Sequence, residues 1–161
     1  MKNENVTTKN IMPKIRIFFD SSAFFAGVVS AIGAARALLK LAEAEIIEIA
    51  ISEQVIVETE KAIIKKSPLS LPDFRNFVIK THPTIFRVTK QEADKALYMI
   101  SDPTDAPILA AAMKAKVDFL ATHNRKHFLD DPKVAELSGL RIGTPGDALA
   151  WVRENLAGEK Q

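Results

Sequence analysis

The sequence contains no cysteine, which excludes disulfides, thiolate nucleophiles and sulfur-ligated zinc, so any metal must be bound by oxygen or imidazole. It also lacks an uninterrupted apolar stretch of the roughly 18 residues a membrane span requires. The opening segment MKNENVTTKNIMPK is polar and carries Glu4, without the apolar centre of a signal peptide. From these absences we expect a cytoplasmic protein with no membrane partner. An excess of one charge is missing as well. The 22 basic and 20 acidic residues give a formal +2, which neither demands nor excludes nucleic acid and makes any basic patch a local matter. Internal repeats and low-complexity tracts are absent. What is present is apolar: 47% of 161 residues, enough for one domain that buries about two thirds of the unfolded chain's surface. The expected organisation is a flexible tail over 1–13, one domain over 14–156 and a short tail over 157–161.

Short apolar runs alternate with helix-forming stretches. Ile15 to Phe19, bounded by Pro13 and Asp20, reads as the first strand, and Ile46 to Ile51 as a second despite Glu48. TIFRV (84–88), VDFLAT (117–122) and LRI (140–142) complete a sheet of four to five strands. The segment SSAFFAGVVSAIGAARALLKLAEAE is periodic in apolar residues but interrupted at Gly27 and Gly33, consistent with one kinked helix or two. Ser52 caps a helix to about Lys66, and further helices fall at Pro72 to Ile79, KQEADKALYMI, DAPILAAAMKAK and, from near Thr144, TPGDALAWVREN. NRKHFLDDPKVAELSG reads as loop with a short helix. Such alternation implies an α/β fold with a mostly parallel sheet and right-handed crossovers.

Within that frame three acids stand out. Asp20 closes the first strand, Glu58 lies early in the helix after the second, and Asp105 precedes Pro107 at the head of the alanine-rich helix. In open α/β sheets ligands gather at the carboxyl ends of strands, so distant acids can converge there. Each has an ordinary alternative: Asp20 and Asp105 as helix N-caps, Glu58 as a surface glutamate with Glu60 competing for its role. Together they say more. Two carboxylates roughly 5 Å apart repel by about 3 kcal/mol at an effective dielectric near 20, which protonation or a cation must offset. An all-oxygen cluster favours magnesium or manganese. His123 and His127 have i, i+4 spacing but follow a strand directly and lack the intervening glutamate of a zinc helix.

The stretches FFDSSAFFAG, SEQVIVETEKAI, DAPILAAAMKAKVDFLAT and THNRKHF occur in the order and spacing of the PIN-domain nucleases, and from about Ile15 to Asn155 the chain resembles that family. It looks closest to small prokaryotic members, including VapC-like toxins of toxin-antitoxin pairs. The resemblance implies a three-layer α/β/α fold and a Mg2+- or Mn2+-dependent endoribonuclease. Asp20, Glu58 and Asp105 would hold the metal. Asn124 stands where the family usually has a carboxylate in Thr-x-Asp, so the fourth position is a neutral amide, and one metal is favoured over two. Ser22 and Thr122 match hydroxyl residues near the substrate phosphate. Arg125 and Lys126, at the mouth of the site, could grip RNA. The implied partners are RNA, an antitoxin protein and a second copy of the chain. Two other readings remain open: a non-catalytic RNA- or protein-binding module, with Asn124 marking relaxed need for metal, and an aspartyl phosphatase, disfavoured because Ser22 stands where its general acid should be.

Overall fold

A computed structural model describes residues 14–158, so the tail over 1–13 and the last residues, 159–161, lie outside the described part. Five strands form one parallel sheet: β1 (Arg16–Phe19), β2 (Glu48–Ser52), β3 (Thr84–Phe86), β4 (Phe119–Ala121) and β5 (Ile142–Gly143). Their spatial order is β3-β2-β1-β4-β5. From β1 the chain builds outward through β2 and β3, then crosses back to lay β4 on the other side of β1. The crevice at the carboxyl ends of β1 and β4 is thus the topological switch point, where ligands of open α/β sheets bind. Asp20 is the first residue past β1.

Among the described residues eight α-helices complete an α/β/α arrangement: α1 (Ser21–Val29), α2 (Ala34–Glu43), α3 (Glu53–Lys66), α4 (Leu71–Thr81), α5 (Lys90–Ala96), α6 (Ala106–Lys114), α7 (Pro132–Ser138) and α8 (Pro145–Gly158). The central strands are almost wholly apolar because both faces are covered. Ile17, Phe18, Phe19, Ile49, Ala50, Ile51, Leu120 and Ala121 are inaccessible to solvent.

The segment after β1 is two helices, bent by 86°. The break falls at Gly33, whose φ of 121° disfavours any side chain. Gly27 does not break α1. A Cβ there would lie 2.7 Å from Leu39 Cδ1 and 3.3 Å from the Ala35 carbonyl, so this glycine lets α1 and α2 approach. Among the described residues no single helix is long and apolar enough to cross a membrane.

Several boundaries differ from the sequence reading. β2 begins two residues late because the chain turns at Glu45, with φ 61°, leaving Ile46 exposed. Glu48 can then sit in the strand opposite Arg16, 3.2 Å from its Nε, while Thr84 donates to Glu48 at 2.6 Å. α5 starts with a capping box between Thr89 and Glu92 but ends at Ala96 rather than running to Ile100. β3 stops at Phe86, two residues short of the expected Val88. α8 continues to Gly158.

Candidate metal centre

The β1–α1 junction fixes Asp20. Its amide donates to Ala121 O of β4 at 3.2 Å, and its side chain caps α1 by accepting from Ala23 N at 2.9 Å. Ser22 Oγ donates to the same carboxylate oxygen at 2.7 Å, and Thr122 Oγ1 donates to the other. Both hydroxyls have second duties: Ser22 Oγ accepts from His123 N at 3.0 Å and Thr122 Oγ1 from Asn124 N at 2.9 Å. The two candidate substrate residues therefore both hold Asp20. That carboxylate is only 4% exposed. Burial pushes it above the usual aspartate range against the pull of these hydrogen bonds, Thr122 first.

Glu58 comes from the second turn of α3 and is half-buried. Ser21 Oγ donates to it at 2.5 Å. Gln54, one turn earlier on the same helix, donates at 2.6 Å to Glu58 Oε1 and at 3.1 Å to Thr104 O. Helix α3 is thereby tied to the start of α1 and to the loop before Asp105. Glu60, the rival for this role, points elsewhere, 3.8 Å from Arg75 on α4.

Asp105 occupies the N-cap position of α6, with Pro107 in the first turn, yet its side chain makes no capping hydrogen bond. It turns instead to His127, whose Nδ1 is 2.8 Å away, and lies 3.4 Å from Asn124 Nδ2. Burial, then the charge of Asp102, push the Asp105 carboxyl up; His127 opposes the rise and the charge of Asp20 adds to it. The charge of Asp20, far away in sequence, thus reaches Asp105 across the crevice.

The chain after β4 makes a wide π turn over Arg125–Leu129. Asn124 caps it, its Oδ1 accepting from His127 N at 3.1 Å, so this side chain presents its NH2 to Asp105, not its oxygen. The turn swings His127 inward and buries Phe128. Arg125 and Lys126 are exposed. Arg125 is 3.2 Å from Asp130, while the charge of Lys126 contributes to holding Asp102 below the usual range, after the dominant Thr104 hydrogen bonds.

The sequence reading missed Asp102, Ser21, Gln54 and the role of His127. Ligand atoms of Asp102, Asp105 and His127 all lie within 4.8 Å of one another. Asp102 had a signal, as the first acid of DPTD, but it reads as loop punctuation. From the sequence His127 stands beside Arg125 and Lys126 at the mouth of the site and at i, i+4 from His123, but the two histidines diverge: His123 is exposed at the Ser22 side, whereas His127 faces the acids.

A family model described as the PIN domain matches residues 16–126. The chain belongs to the PIN-domain family. Solved structures with the same fold include VapBC2 from Rickettsia felis bound to a DNA fragment from its promoter, 17% identical, covering 81% of this chain and 98% of that one at a TM-score of 0.57. The Pyrobaculum aerophilum protein PAE2754 is 14% identical over 87% of this chain and 96% of its own, at 0.59. VapC20 from Mycobacterium tuberculosis, a sarcin-ricin loop cleaving toxin, is 15% identical over 68% and 91%, at 0.50. At these identities the likeness speaks for fold alone. No curated protein sequence matches.

The matched span of this PIN domain holds Asp20, Glu58, Asp105 and Asn124 and stops at Lys126, just before His127. Among the described residues the donors within reach of one divalent cation are Asp102, Asp105 and His127; of the acids expected from the sequence only Asp105 belongs to that group, and Asp20 and Glu58 lie outside it. Two carboxyls are held above their usual range, largely by burial, and Asp105 also by the charges of its acidic neighbours, a misfit that a bound cation would relieve. The donors are mostly carboxylate oxygens, which suits Mg2+ or Mn2+ better than softer metals.

Proposed function

We propose that this PIN domain is a metal-dependent endoribonuclease. The observation that carries the reading is the cluster of Asp102, Asp105 and His127, whose ligand atoms lie within 4.8 Å of one another, beside Asp20, whose charge reaches Asp105, with Glu58 bonded to Ser21 and linked through Gln54 to Thr104. Asp20, Glu58 and Asp105 would hold Mg2+ or Mn2+. When bound, such a cation stabilises charge building on a phosphoryl oxygen and activates water for attack. The protein's own groups set the geometry. Ser22 and Thr122 lock Asp20, Gln54 and Ser21 orient Glu58, and His127 orients Asp105. The Asn124 amide supplies a donor where a fourth carboxylate would add repulsion, which favours one metal over two. Lys126 and Arg125, exposed beside the site, would meet the RNA backbone. Hydrolysis would join the water oxygen to phosphorus and break the bond to the 3′ oxygen, leaving a 5′-phosphate and a 3′-hydroxyl.

Two of the similar structures are VapBC assemblies, which supports a toxin role with an antitoxin partner covering the acidic crevice. A homodimer is part of the same proposal, and sedimentation tests it. The direct experiment is incubation of the purified protein with structured and single-stranded RNA in manganese, with EDTA and Asp105→Asn as controls. Cleavage that both controls abolish supports the reading; cleavage that survives either one contradicts it. The alternative, a catalytically weak module that binds RNA or protein, draws on the neutral Asn124 and on the His127 imidazole lying against Asp105 as an internal counter-charge. It is favoured if RNA binds equally well in EDTA and no product forms.

A further inference from the structure

A cleft of about 290 Å3 adjoins the acidic centre on its β3 side, between the start of α3, the end of β3 and the first turn of α6. We propose that it receives one unpaired nucleobase of the RNA, next to the phosphate being cut, and that Glu53 selects among bases there. The proposal rests on the ribonuclease reading above and adds a subsite to it.

Position comes first. Gln54 lines both the cleft and the acidic centre: its Nε2 bonds Glu58 and Thr104 O, and Pro107 follows Asp105 by two residues. A nucleotide whose phosphate lies at the acids therefore has this cleft as an adjoining recess. The chemistry of the walls comes second. Phe86 and Val88 are half-buried and offer an apolar surface, with the Arg16 guanidinium 5.9 Å from the Phe86 ring centroid. The rim is polar: Arg87 Nε donates to Glu53 Oε1 at 2.8 Å, and the two side chains are 82% and 52% exposed. Among the described residues Gln54 Oε1 accepts no hydrogen bond. An apolar face bounded by a hydrogen-bonding edge is the shape of an unstacked base, which proteins commonly bind by stacking and by contacts to its Watson–Crick edge.

Charge separates a base from a phosphate, and the apolar wall separates it from the hydroxyl-bearing ribose. A phosphate in the cleft would face the Glu53 carboxylate with Glu58 close behind, and the cation on the rim, Arg87, is already paired. A neutral base meets no such repulsion. Glu53 only accepts hydrogen bonds, so it favours a base edge that presents an amino or imino hydrogen beside an acceptor for Arg87. Glu53→Gln keeps the shape but adds a donor, and should blur the choice.

The test has two arms. In the first, a pool of random single-stranded oligoribonucleotides is cut in manganese by the wild type, Glu53→Gln and Phe86→Ala, and the cut sites are sequenced. We expect a base preference at one position flanking the wild-type cut, flattened in Glu53→Gln, with Phe86→Ala raising KM more than it lowers kcat. In the second, a short RNA with 2-aminopurine placed at each position in turn is titrated into Asp105→Asn. Quenching at one position is expected, with affinity falling about tenfold or more when Phe86→Ala is added, the effect of losing one stacked base. Glu53 is exposed, so its variant stays informative if Phe86→Ala folds poorly. Cleavage with a preference unmoved by both variants overturns the subsite and leaves the nuclease standing. Base binding that depends on Phe86 and Glu53, without cleavage by the wild type, keeps the subsite and overturns the nuclease. Neither binding nor cleavage overturns both.

Discussion

Asp20 and Asp105 both stand immediately before a helix, yet the two junctions use them differently. At the β1–α1 junction the carboxylate is a structural cap, bonded to Ala23 N, Ser22 and Thr122. At the head of α6 the aspartate caps nothing. Its place is secured by backbone, with Leu109 N donating to Asp105 O at 3.0 Å and Pro107 needing no partner, which frees the carboxylate for His127 and the crevice. The same sequence signal yields an acid that caps its helix at one junction and, at the other, an acid that makes no cap and turns to side chains of the loop after β4.

The comparison is sharpened most by activity. Asp105→Asn should lower metal-dependent RNA cleavage by on the order of 10²–10³ or more, the scale of removing one charge-stabilising group from a centre, while leaving thermal stability within about 1 kcal/mol of wild type because no cap is lost. Asp20→Ala should also abolish cleavage, but at a cost of about 2–4 kcal/mol in stability, since it removes the α1 cap and leaves the buried Thr122 hydroxyl without its acceptor. Chemical denaturation of the two variants side by side checks this. Equal stability losses would break the comparison. Next in size, His127→Ala should weaken manganese binding by about 10–100-fold, the usual effect of removing a group that orients a metal-holding side chain, readable by calorimetry.

The smallest effect is in pH. The Asp105 carboxyl is raised in the folded protein, so the stability linked to its protonated form is fully present below the unfolded value and is lost as pH rises through the folded one. Metal-free wild type should therefore gain stability relative to Asp105→Asn as pH falls from neutral towards about 4, and saturating manganese, which binds the deprotonated carboxylate of the wild type alone, should reverse that trend. Glu48 has the opposite sign. Burial pushes it up, but the hydrogen bonds of Thr84 and Arg16 outweigh that and hold it low, so its contribution is present above the unfolded value and lost as pH falls through the folded one. Melting temperatures of Asp105→Asn and Glu48→Gln across that range separate the two.

Much of this architecture was legible because local chemistry and global fold agree. Ile15 to Phe19 is too apolar and too short for anything but a central strand, and Asp105 with Pro107 marks a helix start. Asp20 and Asp105 could be picked out because one follows and the other opens an element whose type was plain, and Glu58 because it lies early in the helix after β2. Where the reading slipped, the deciding partner was distant. β2 starts at Glu48 because Arg16 lies opposite it in β1 and the Thr84 hydroxyl of β3 reaches its carboxylate, and nothing near Glu48 announces them. Asp102 and His127 meet only because a π turn follows Asn124 and an Asx-type turn at Thr104 aims Asp102 at the same crevice. Ser21 and Ser22 are adjacent in sequence, yet one serves Glu58 and the other Asp20, a division set by helix geometry at the first turn of α1.

The central claim is that acids from three distant segments form one cation site, and calorimetric titration of the purified protein with manganese, wild type beside Asp105→Asn, tests it without reference to any substrate. The account predicts saturable binding in the micromolar to submillimolar range by the wild type and its loss in the variant. Binding of equal strength in both, or none in the wild type, would contradict it.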